Sequence, residues 1–96
     1  PTTLLLHFFG PVSRAHYKGR KRLPKVMKKC REYLHHTQKS VFEGEITEAN
    51  FTALKTSIER IINDKEDYVV FYRLDNKNNL RRENIGLDFD PTANIL

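Results

Sequence analysis

Three short stretches constrain this chain more than anything else in it: "LLLHFF" at 4–9, "SVFEGEI" at 40–46 and "YVVFYRL" at 68–74. Each reads as a strand, and each is apolar at successive positions, as in the neighbouring Val41 and Phe42. Adjacent residues of a strand point to opposite faces, so these strands need apolar cover on both sides. A chain of 96 residues is one domain with a modest buried fraction. Apolar residues at 39% and charged residues at 30% make it globular rather than disordered. Helices can cover one face of a sheet, and a second copy of the chain covers the other most economically. Two-fold dimers are the commonest oligomers.

The first strand, at residues 3–9, ends at Gly10-Pro11. Residues 11–22 read as a basic loop without apolar periodicity. A helix is expected over 23–34, with Pro24 in its first turn and Val26, Met27, Cys30, Tyr33 and Leu34 recurring at helical spacing. The second strand covers 38–46. Thr47 suits an N-cap and Glu48 the positive end of the helix dipole, and Phe51, Leu54, Ile58, Ile61 and Ile62 line one face of the helix that follows. A strand over 68–74, a turn over 75–79 and a weak strand over 85–89 complete the chain. This order predicts an α+β fold: a ferredoxin-like βαββαβ-type antiparallel sheet with both helices on one face, in a domain spanning 1–84. Residues 85–96 form a C-terminal edge strand and tail.

The net charge of +5 is unevenly spread. Residues 1–41 hold ten Lys or Arg against the single acid Glu32, and residues 42–96 hold seven against eleven acids. Arg14, His16, Lys18, Arg20, Lys21, Arg22 and Lys25 crowd together, a pattern that suits the phosphates of double-stranded DNA in a dimer that carries the cluster twice. Nothing resembles a helix-turn-helix or zinc finger, so contacts should be to the backbone rather than to bases. "YVVFYRL" also lacks the glycine-containing aromatic pattern of an RNA-recognition motif.

Other residues carry less chemistry. His35 and His36 are adjacent, which is poor geometry for one metal ion, and are expected near a helix C-terminus. His7 reads as an interior or interface histidine and Cys30 as core. Asp88 and Asp90 share a face of the last strand and read as a solvated or partner-facing edge ahead of a metal-binding pair. A single cysteine excludes an internal disulfide and fits a reducing cytoplasm. No apolar run approaches the roughly 20 residues that cross a bilayer, so no membrane partner is expected.

"SVFEGEITEANFTALKTSIERII" followed by "EDYVVFYRL" closely resembles the CRISPR-associated protein two family, the small partner of the integrase that captures new spacers. The resemblance rests on Ser40–Glu45, Thr47-Glu48, the acidic turn Glu66-Asp67 and Tyr72–Leu74, in order and at family spacing, and covers roughly residues 23–75. It implies a ferredoxin-like fold, a homodimer whose last strand pairs with the other subunit, and integrase subunits as partners. Ile85, Leu87, Phe89, Ile95 and Leu96 would then face those partners. Nuclease-active members hold magnesium through an aspartate at the end of the first strand. Here Gly10 stands at the matching place, and residues 1–31 contain no acid. A hard cation takes oxygen ligands, usually carboxylates. The expectation is therefore a non-catalytic adaptor that bridges integrase subunits and holds a DNA duplex, with no catalytic residue, metal ligand or cofactor of its own. The alternative is a metal-dependent endoribonuclease or deoxyribonuclease.

Overall fold

The computed structural model describes residues 2–9 and 17–87, and for residues 17–21 the backbone alone. The elements are β1 (Thr2–Phe9), α1 (Tyr17–Arg31), β2 (His35–Gln38), β3 (Val41–Ile46), α2 (Glu48–Ile61), β4 (Tyr68–Leu74) and β5 (Leu80–Gly86). The strands form one sheet in the order β2-β3-β1-β4-β5, antiparallel throughout. Without β5 this is the ferredoxin-like arrangement expected from the element order.

Alternation divides the sheet into two faces. Leu4, Leu6 and Phe8 of β1, Phe42 and Ile46 of β3, and Val69 and Phe71 of β4 pack against Val26 and Cys30 of α1 and Phe51, Leu54 and Ile58 of α2. The Phe51 and Phe71 rings meet edge to face at 5.4 Å. Thr47 caps α2 by accepting the Asn50 N–H at 3.1 Å. Among the described residues, both helices lie on this one face.

The other face carries Leu5, His7 and Phe9 of β1, Val41 of β3, Tyr68, Val70, Tyr72 and Leu74 of β4, and Leu80 of β5. Tyr68 and Val70 are buried there, whereas Phe9, Leu74 and Leu80 are exposed. Leu5, Tyr72, Leu74 and Leu80 line a shallow apolar depression together with Thr3 and Glu43. The strands do present two apolar faces, as their composition demanded.

Four local expectations need correction. The helix begins at Tyr17 rather than at 23, so Pro24 lies inside it and residues 17–22 of the basic segment are helical. His35 and His36 stand on β2, not at a helix end, and the single strand over 38–46 is a hairpin of β2 and β3 with an irregularity between His36 and Gln38. The His36 ring stacks on Phe42 at 4.5 Å, which holds this wholly exposed strand on the sheet edge. Among the described residues the last strand starts at Leu80 rather than at 85, runs to Gly86 and pairs with β4 of its own chain, while residues 88 and 89 of the expected strand lie outside the described residues.

A built turn explains that last pairing. Asp75 Oδ1 accepts the N–H groups of Lys77 and Asn79 at 2.9 and 3.0 Å, and Asn78 takes the left-handed conformation, φ 62°. The turn feeds β5 straight back along β4. Ile85, expected at a partner interface, consequently joins the core opposite Val69.

Candidate nucleic-acid interface

Helix α1 is two-sided. Val26 and Cys30 are buried, and Leu23 and Met27 pack half-buried beside them. At 3.6 residues per turn, positions 18, 21, 25, 28 and 29 fall on the flank turned away from that stripe. All five are lysines. Lys25 and Lys28 are exposed, and Lys29 Nζ lies 3.1 Å from Glu32, an exposed pair of small energetic weight. Lys18, Arg20 and Lys21 occupy the first turns of the helix, while Arg14 and His16 lie outside the described residues.

Arg22 departs from its expected role as a phosphate ligand. Its Nε donates to Asp67 Oδ2 at 2.6 Å and its Nη2 to Glu66 Oε2 at 2.6 Å. Asp67 is fully buried, and the guanidinium, raised above its ordinary pKa first by the Asp67 hydrogen bond, is committed within the fold. Asp67 Oδ2 also accepts the Asn63 N–H at 2.9 Å.

The end of β1 gives a second test. A metal ion held across a dimer axis requires carboxylates there, and β1 supplies none. Its last residue, Phe9, packs against His7 at 4.0 Å and Tyr68 at 5.5 Å between ring centroids. Burial lowers the His7 pKa. Gly10 lies outside the described residues. No group of three or more His, Cys, Asp or Glu able to hold a metal ion occurs among the described residues. An aromatic strand end does not fit magnesium, and no metal-dependent step follows from it.

Sequence reasoning passed over a buried charge at the other end of the sheet. Arg73 follows Val69 and Phe71 on the helix-facing side of β4, and an arginine in that register must be paired. Its Nη1 donates to Glu48 at 2.8 Å, Nη2 donates to Glu83, and the guanidinium sits 4.3 Å from the Phe51 ring centre. Lys55 joins at 3.1 Å from Glu83. Burial pushes the Glu83 pKa up, but Lys55 and Arg73 outweigh it and the net shift is downward. The cluster seats β5 on the sheet and offers no reactive group. Cys30 is equally inert: burial raises its thiol to about 12.

Of the residues expected to face a partner, Leu87 is half-buried with its N–H bonded to the Asp67 carbonyl at 2.6 Å. Phe89, Ile95 and Leu96 lie outside the described residues, as do Asp88 and Asp90.

The family model described as CRISPR associated protein Cas2 matches residues 12–82. The chain belongs to the Cas2 family. A CRISPR-associated endoribonuclease Cas2 of Moorella thermoacetica is 49% identical over 78 residues, which cover 81% of this chain and 86% of that protein. A CRISPR-associated endoribonuclease Cas2 of Dictyoglomus turgidum is 43% identical over 78 residues, covering 81% and 90%. The crystal structure of Streptococcus pyogenes Cas2 at pH 6.5 superposes with a TM-score of 0.67 at 37% identity, over 79% of this chain and 88% of that one. The resemblance read from the two motif stretches is thus a family relationship.

Proposed function

We propose that this Cas2-family protein is a non-catalytic dimeric adaptor of CRISPR spacer acquisition. Two copies stack through their open sheet faces, bridge integrase subunits and carry a captured DNA duplex along the lysine flank of α1. The observation that carries this reading is that flank: five lysine positions on one side of a helix whose other side is locked into the core. A row of lysines along one helix flank, with Lys25 and Lys28 exposed, attracts phosphates without reading bases, which suits a carrier of DNA of any sequence. The apolar open face supports the stacking. Residues 88–96 then supply the docking segment for the integrase.

A second reading, metal-dependent cleavage of RNA or DNA, is favoured by the endoribonuclease names of the Moorella and Dictyoglomus relatives. The end of β1 speaks against it, because the ligand chemistry is missing there.

Assembly tests the adaptor reading. Mixed with an integrase from a CRISPR locus and a short duplex, the protein is expected to form one complex containing two copies of this chain, read as a discrete mass by mass photometry. A duplex-bound integrase of unchanged mass, with this chain left free, overturns the proposal.

A further inference from the structure

The first half of α1 is a poor helix by its own sequence. It begins in a run of basic residues at the positive end of the helix dipole, has no acid in its first turn and contains Pro24 in its interior. Its apolar anchors start only at Leu23. The described side chain that ties this half to the rest of the molecule is Arg22, through the fully buried Asp67 and its neighbour Glu66. The acidic pair is itself braced. Asp67 N donates to the Asn63 carbonyl at 2.8 Å, and Gly86, at φ +95°, passes so close that a Cβ there would stand 2.2 Å from the Asp67 carbonyl oxygen.

We propose that Asp67 is a positioning residue for the nucleic-acid interface: through Arg22 it keeps the lysine-bearing first turns of α1 helical and docked on the protein. It touches no nucleic acid itself. The proposal rests on the reading of α1 as the phosphate-facing element. Its consequence runs against simple charge counting. Removing a carboxylate makes the protein more positive and, by charge alone, a better ligand for a polyanion. Loss of the clamp instead frays the row of lysines and scatters the phosphate contacts.

Two variants separate these outcomes. Asp67→Asn removes the charge while keeping a side chain that can accept the Asn63 N–H. Arg22→Lys keeps the charge but loses the two-pronged geometry with Asp67 and Glu66. Each is expected to bind a duplex roughly three- to tenfold more weakly than the parent at fixed salt, and the double variant no more weakly than the worse single one. Trypsin, applied well below the melting temperature, is expected to cut within residues 18–25 several-fold faster in both variants, and after Arg60 at an unchanged rate. Should Asp67→Asn fail to fold, Arg22→Lys carries the test, because Asp67 keeps an ammonium partner. Tighter duplex binding by Asp67→Asn, or unchanged binding and cleavage in Arg22→Lys, overturns the proposal. If the parent binds no duplex, the interface reading itself fails, while the trypsin rates still decide whether the clamp exists.

Discussion

Replacing Lys18, Lys21, Lys25 and Lys28 together by glutamine is expected to flatten the salt dependence of duplex binding sharply. Each phosphate contact contributes about 0.9 to the slope of log affinity against log salt. With half of the four lysines on phosphates, a dimer makes four such contacts, and the slope should fall by roughly 3 to 4. The loss should be similar for duplexes of unrelated sequence, since the flank carries no base-reading device. Lys65 and Lys77, exposed on the opposite, acidic half of the sequence, are the controls and should change little. Lys55 is unsuited to that purpose because it is paired with Glu83. Fluorescence anisotropy across a salt series reads the result, and an unchanged slope would place the DNA elsewhere.

Splitting the proposed dimer is the second large expected effect. Leu74 and Leu80 face each other across β4 and β5 on the open face and are both exposed. Converting them to Leu74→Glu and Leu80→Lys puts an ion pair across the two strands. Each monomer satisfies that pair at its surface, so the fold should survive. Stacking two sheets would desolvate two such pairs and lose the apolar contact, at a cost of several kcal/mol, weakening association by roughly a thousandfold. Light scattering at micromolar concentration should report a dimer for the parent and a monomer for the variant. A parent that is already monomeric would show that the open face is covered in some other way.

The elements built from apolar periodicity were legible in the sequence because their signals are local. β4 was bounded residue for residue, α2 was announced by Thr47 and its stripe of Phe51, Leu54 and Ile58, and the two-sided apolar strands followed from adjacency alone. What escaped was built by charge and by edges. β5 has Arg81, Glu83 and Ile85 on its inward side, a pattern that reads as polar until Arg73 and Lys55 are seen meeting Glu83. β2 is exposed at every position and exists because β3 offers it a ladder. The first turns of α1 looked like a loop because basic residues and Pro24 oppose a helix, and the compensating carboxylate of Asp67 lies 45 residues away from Arg22.

The candidate site was legible to the same degree. The basic cluster was visible as composition, and the missing carboxylate at the end of β1 was visible as an absence of acids through residue 31. Which of those cations are free was not visible, since Arg22 and Lys25 look alike in the chain yet one is clamped and the other exposed. Sequence places charges along a line. The fold decides which of them have partners.

The central claim is that this protein holds nucleic acid without cutting it, and cleavage measured under binding conditions tests that most directly. End-labelled duplex DNA and single-stranded RNA are incubated with protein in excess, with magnesium or manganese and with a chelator control, and resolved on a denaturing gel. The predicted result is duplex retained by the protein and both substrates intact in every lane. Cleavage that grows with protein, survives repurification and disappears with chelator would contradict the account.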